Sequence, residues 1–389
     1  MSALFTLIVF LVLFSVLILI HELGHFFTAI LSGVKVEEFG LGFPPRAKIL
    51  TKRKGVIYSL NWIPLGGFVR MLGQDDFSAE NTLKNFFKKG SFASQKLWKR
   101  MLIIVAGVLM NFLLAYVLLT AVFRVGFYPL AIVPNDRINI NSYLIMREDF
   151  AKQEGVLVFR EDLATNPGVR IVEVLKDSLA EKMAFQKDDL IQQINSVDVL
   201  EPADVIKMTA ESADKKLIFS IKREEKGFKI TLTPKQGELV GLGMKANYEI
   251  TKKQFKWSAP LKAGEELIKQ GWVTLYLAKD LVKGVVTKFQ ISKNIAGPVG
   301  MAQLTYDFVG QGITQLLLFA ALLSLSLGIM NILPFPALDG GRFLFLLIEA
   351  ITRKRPDPRI ENYLHRLGFI LLLALLIIVT WNDVMRFFN

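Results

Sequence analysis

Four long apolar runs mark the chain: Leu4 to about Ile30, about Met101 to Phe123, Ile313 to Leu333, and Leu367 to Trp381. A helix needs roughly 20 apolar residues to cross a hydrocarbon core about 30 Å thick, so these runs predict four membrane-spanning helices. A fifth run, Phe343 to Ile351, is too short to cross. The first run has no basic start, is too long for the apolar stretch of a secretory signal and precedes no small-residue cleavage site, which predicts a retained helix. Elsewhere the period changes. "GVRIVEVL" (168–175) and "KLIFSIKR" (216–223) read as strands around the amphipathic helical stretch "SLAEKMAF" (178–185), which predicts an α+β domain over about 165–235. "VIYSLNWIPLGGFVRM" (56–71) holds two β-prone runs joined by Pro-Leu-Gly-Gly, predicting a β-hairpin with a free edge. From about Phe255 to Phe289 apolar residues recur at helical spacing, and Trp257, Trp272 and Tyr276 suit a membrane–water interface.

Charge orients these elements. Residues 31–100 hold 13 Lys/Arg against 5 Asp/Glu, and 342–366 hold 6 against 3, whereas 125–312 holds 26 against 24. Basic loops stay on the cytoplasmic side, so 31–100 and 342–366 are expected to face the cytoplasm. Both termini and the α+β domain are then extracytoplasmic. The net charge of +12 is a topology signal, and no nucleic-acid partner is expected. The chain has no cysteine, which excludes disulfides, thiol catalysis and cysteine-ligated metal.

Two of the three histidines fall inside the first apolar run, in "HELGH", 21–25. Residues four apart share a helix face, so His21 and His25 can converge on one zinc ion. Glu22, about 100° round the helix, flanks such an ion and can move the proton of its water. The alternative is structural: polar groups that cap the span or join helices by hydrogen bonds. A hydrolytic zinc site takes three protein ligands and leaves one position open. Spans one and three both run inward, which brings Asp339 in "NILPFPALDGGRF" (331–343) to the depth of the histidines. Pro334 and Pro336 must break span three just before it. Asp339 could instead cap the next helix, and His365, among Arg359, Glu361 and Arg366, reads as a solvated interfacial residue.

Several separate stretches together resemble the bacterial site-2 protease family of intramembrane zinc metalloproteases, over nearly the whole chain. They are "HELGH", "FGLGFPP" (39–45), "GVLMNF" (107–112), "AGPVG" (296–300) and "NILPFPALDGGR" (331–342). The resemblance implies a polytopic α-helical membrane protein of the bacterial cytoplasmic membrane. It would have four transmembrane helices, a membrane-associated β-hairpin on the cytoplasmic side and an extracytoplasmic PDZ-like domain. It implies one zinc ion per chain held by His21, His25 and Asp339 near the cytoplasmic face, with Glu22 as general base and acid. It also implies that the hairpin, through Gly66, Gly67, Phe68 and Val69, and the segment with Asn331 and Pro334 hold the substrate. The implied substrates are transmembrane segments of single-span proteins, such as anti-sigma factors or signal-peptide remnants, first shortened by a site-1-type protease. "SLAEKMAFQKDDLIQQINSVDV" (178–199) is similar to the PDZ pattern, with Asp188 and Ser196 where glycines usually stand. A second function class stays open: a catalytically idle membrane receptor whose PDZ-like domain binds tails and whose metal is structural.

Overall fold

The computed structural model describes residues 3–74, 88–133, 142–159, 168–176, 178–212, 214–224, 226–235, 240–246, 248–288 and 297–385. Ala296 of "AGPVG", residues 165–167 at the start of the expected α+β domain, and Phe289 at the end of the expected interfacial stretch lie outside the described residues. The chain divides into two units, Met1–Phe127 with Gln254–Asn389, and Tyr128–Lys253.

The first unit opens with α1 (Ala3–Leu31), the strands β1 (Val36–Arg53) and β2 (Val56–Met71), and α2 (Leu97–Val125). The second unit holds β3 (Ala131–Val133), β4 (Ile145–Arg147), α3 (Glu148–Gln153), β5 (Leu157–Phe159), β6 (Val169–Val174), α4 (Leu179–Lys182), β7 (Leu190–Ile194), β8 (Val197–Asp198), α5 (Pro202–Glu211), β9 (Leu217–Arg223), β10 (Lys226–Leu232), β11 (Leu242–Ala246) and β12 (Tyr248–Ile250). The first unit then resumes with α6 (Ala259–Lys288), α7 (Pro298–Gly310), α8 (Ile313–Ile332), α9 (Asp339–Thr352) and α10 (Pro358–Met385).

Among the described residues four helices, α1, α2, α8 and α10, are long and apolar enough to cross a membrane, at the four places the apolar runs mark. α2 and α10 extend furthest beyond their runs: α2 starts at Leu97, four residues before Met101, and α10 at Pro358, nine residues before Leu367, where "RIENYLHR" continues a helical pattern through its charges. Packing sorts these helices. Half of the apolar stretch of α8 and 44% of that of α2 are buried, against 17% for α1 and α10. An apolar helix that the protein leaves uncovered must find lipid, and Leu4, Ile8, Val12 and Val16 of α1 are all exposed.

The sheet of the first unit differs from the expected hairpin. Residues 56–71 form one strand, and its two halves do not pair with each other. The turn lies earlier, at Lys54 and Gly55, both at positive φ. The first half of β1 lies between the halves of β2: Phe39 is opposite Val69 and Tyr58, Gly40 opposite Phe68 and Ser59, and Leu41 opposite Gly67 and Leu60. Its second half pairs with residues 56–61, from Arg53↔Val56 to Arg46↔Asn61. Local β propensity and the Gly-Gly pair are blind to such intercalation, which depends on contacts across about 30 positions. The stretch from Gly67 to Met71 pairs on one side only among the described residues, so a free edge exists there. Glu38 anchors this sheet. Its side chain is 3% exposed and accepts from Ser59 Oγ at 2.6 Å, Arg46 Nε at 2.9 Å and Arg46 Nη2 at 2.5 Å. Burial pushes the Glu38 carboxyl up, but the hydrogen bonds from Arg46 and Ser59 and the charges of Arg46 and Arg70 outweigh it and hold the group below its ordinary range.

The second unit is α+β. Its largest sheet has the order β10-β9-β7-β6-β11, with β8 on β7, and every pairing is antiparallel. Ile171, Ile191, Ile194 and Phe219 are fully buried at its core. The two departures from glycine keep the turn conformation that glycine serves: Asp188 has φ 72 and Ser196 φ 67. Next to the first, fully buried Asp189 takes a two-point ion pair from Arg223 at 2.7 and 2.8 Å and accepts from the Gln186 N–H at 2.9 Å.

Candidate metal centre

α1 presents His21 and His25 one turn apart on its inner face, 6% and 7% exposed. The Ile103 carbonyl of α2 lies 2.8 Å from His25 Nδ1. A carbonyl only accepts, so Nδ1 carries the hydrogen and the Nε2 of a neutral ring is a bare lone pair. That Nε2 lies 3.1 Å from His21 Nε2 and 3.2 Å from Asp339 Oδ2, and His21 Nε2 lies 3.0 Å from the same carboxylate oxygen. With His21 in the same tautomer, three electron-rich atoms face each other in a low-dielectric interior and repel unless a cation lies among them.

The separations indicate which cation fits. At zinc–ligand distances of about 2.0–2.1 Å, tetrahedral geometry puts ligand atoms about 3.3 Å apart. The observed 3.0, 3.1 and 3.2 Å are close to that edge length. Two imidazole nitrogens and one carboxylate oxygen form a zinc donor set with a fourth position left open. These side chains are the one such three-residue group among the described residues.

Each neighbour leaves room for this convergence. On α2, a side chain at Gly107 would fall onto the Nε2 and Cε1 atoms of His25 and the Cε1 of His21. Asn111, one turn further and fully buried, has its amide 3.1 Å from His21 Nδ1. Asp339 is the first residue of α9, where Leu338 is the cap residue and makes no side-chain capping bond. The aspartate therefore points to the histidines. Before it, Leu333 to Leu338 turn sharply, and a side chain on Gly340 would strike the carbonyls of Ile332 and Leu333. His365 differs from the solvated residue expected. Its side chain is 14% exposed, and its Nδ1 accepts from the Ala337 N–H at 2.8 Å, which ties α10 to the loop carrying Asp339. No sequence pattern pairs positions 28 apart in this way.

Glu22 is half-buried beside the donors, and the Val69 backbone hydrogen-bonds to its carboxyl. The middle of β2 is seated on the same helix: Ser15 Oγ donates to the Pro64 carbonyl at 3.1 Å, and the Gly66 N–H donates to Ser15 Oγ at 3.3 Å. Gly66, Gly67 and Val69 are buried and Phe68 half-buried along this contact. Asn331 is half-buried in the last turn of α8, its amide without a hydrogen-bond partner among the described residues, and Pro334 is exposed in the loop that follows.

The profile of peptidase family M50 matches residues 9–375. The regulator of sigma-W protease RasP of Bacillus subtilis is 26% identical over 98% of this chain and 99% of its own. The zinc metalloprotease RasP of Geobacillus kaustophilus is 28% identical over 98% of each chain. Among solved structures, the PDZ domain of the SdrC-like protein of Listeria monocytogenes covers 21% of this chain and 92% of its own at 16% identity, with a TM-score of 0.19.

Proposed function

The chain belongs to peptidase family M50 and is a zinc metalloprotease with membrane-length helices, and from that premise we propose that it cuts peptide bonds within transmembrane segments of other proteins. The observation that carries the reading is the convergence of His21, His25 and Asp339 on one point, beside Glu22, inside an apolar helical bundle. His21, His25 and Asp339 hold the ion. Bound zinc lowers the pKa of water toward neutrality and polarises a carbonyl. Glu22 takes the proton from the attacking water and returns it to the departing amine, work worth about 10²- to 10⁴-fold in rate. A substrate helix must unwind first, because its backbone groups are engaged with each other. The free edge at Gly67–Met71 can pair with the unwound segment as an added strand beside Glu22, whose carboxyl takes a hydrogen bond from the Val69 backbone, and Asn331 and Pro334 help to hold that segment.

In this reading the protein sits in the bacterial cytoplasmic membrane with both termini and the PDZ-like domain outside. The zinc lies near the cytoplasmic face. Its substrates are single-span proteins, such as anti-sigma factors or signal-peptide remnants, shortened first by a site-1-type protease. The test is cleavage of a single-span substrate in detergent by the parent and by Glu22→Gln, with zinc content measured in both. The expected result is full zinc and at least a hundredfold loss of cleavage in the variant. Cleavage that survives the substitution would overturn the assignment of Glu22.

A further inference from the structure

We infer that Asn111 is a positioning residue of the metal centre, with its side-chain carbonyl accepting the His21 Nδ1–H so that the Nε2 lone pair of His21 faces the ion. The inference rests on the reading of His21 as a ligand. One face of α2 supplies both supports: Ile103, Gly107 and Asn111, each four residues apart, meet the two imidazoles in turn. The Ile103 carbonyl sets the His25 tautomer, and the cleft above Gly107 takes both rings. For His21 the partner is the Asn111 amide, 3.1 Å from Nδ1.

The direction of that hydrogen bond follows from chemistry. With Asn111 Nδ2 donating, Nδ1 would be the acceptor, and the neutral ring would carry its hydrogen on Nε2, the atom 3.1 Å from His25 Nε2 and 3.0 Å from Asp339 Oδ2. A ring protonated there cannot ligate a metal. The other amide atom, Asn111 Oδ1, is meanwhile buried with no hydrogen-bond partner. Turning the amide by half a rotation puts Oδ1 on the Nδ1–H and frees the Nε2 lone pair, so the metal-bound state selects the turned amide. The asparagine is held for this work. It is 0% exposed, and Ser324 Oγ of α8 donates to its backbone carbonyl at 2.9 Å. An outer partner of this kind typically changes metal affinity about 10- to 100-fold.

The experiment measures zinc dissociation constants by chelator competition on the full-length protein in detergent, with the melting temperature of each zinc-free form. Asn111→Leu removes the acceptor at similar volume, and Asn111→Asp keeps an acceptor but cannot donate. The expected result is zinc binding about 10- to 100-fold weaker in Asn111→Leu and at least as tight as the parent in Asn111→Asp. Parent-like affinity in Asn111→Leu, or a tenfold or greater loss in Asn111→Asp, would overturn the inference. Asn111→Asp decides alone if Asn111→Leu does not fold, and a fall in melting temperature without a change in affinity marks a purely structural residue and counts against it. His21→Ala is measured in parallel. If it keeps zinc, the ligand reading fails; if it loses zinc while Asn111→Leu does not, only the role of Asn111 fails.

Discussion

Gly107 offers a sharp test of the metal centre, because two physical effects oppose each other there. Inside a helix, exchanging glycine for alanine normally stabilises by about 0.5–1 kcal/mol. At Gly107 the added methyl would lie 2.6 Å from His25 Cε1 and 2.8 Å from His21 Cε1. Ordinary carbon–carbon contacts are about 3.5–4.0 Å, so one or both rings must move by about 1 Å. A zinc site tolerates distance errors of about 0.2 Å. Overpacking of a filled interior costs about 1–3 kcal/mol, and at 1.4 kcal/mol per tenfold this weakens zinc binding by about 5- to 150-fold. The assay is chelator competition with purified Gly107→Ala and parent, beside thermal melts of the zinc-free forms. Zinc affinity should fall while the zinc-free melt holds or changes by far less than the affinity. Parent-like zinc affinity in Gly107→Ala would refute the claim that α2 and the two imidazoles share one packed centre.

The remaining predictions concern the supports of this centre. Arg100 and Glu349, 6% and 11% exposed and 2.5 Å apart, tie the start of α2 to α9. Glu349→Gln leaves Arg100 buried with its charge uncompensated and should lower stability by about 3 kcal/mol in a denaturant melt, where an unchanged midpoint would contradict it. Glu38 ionises more readily folded than unfolded, so unfolding takes up a proton in acid. Its contribution is present above the ordinary glutamate range, near pH 4.3, and is lost as pH falls through its lower folded value. The gap in melting temperature between parent and Glu38→Gln should therefore narrow as pH falls below about 4, and a gap independent of pH would contradict the ion-pair account.

The parts of this architecture that were legible in the sequence are those written in short-range patterns. HELGH places two imidazoles on one face because four residues make about one helical turn, whatever lies around them. Asp339 was a candidate to join them because charge asymmetry predicts the same direction for spans one and three, with helix capping as its alternative. The sheet was not legible in the same way. Residues 56–71 carry the right β propensity, yet Phe39, Gly40 and Leu41 insert between its halves, and only long-range pairing decides that. Asn111 and His365 were hidden for a related reason. Their partners lie 90 and 28 positions away, beyond the reach of any local spacing. In "GVLMNF" the glycine and the asparagine acquire a physical meaning only once α2 is laid against α1.

The central claim, zinc-dependent proteolysis inside an apolar segment, is tested most directly by where the cut falls. Parent and Asp339→Ala proteins are reconstituted into vesicles with a single-span substrate, with and without a zinc chelator, and the new chain ends are mapped by mass spectrometry. The account predicts ends within the apolar segment for the zinc-loaded parent, and no such ends after chelation or in Asp339→Ala. Ends confined to the polar flanks, or cleavage that persists in Asp339→Ala, would contradict it.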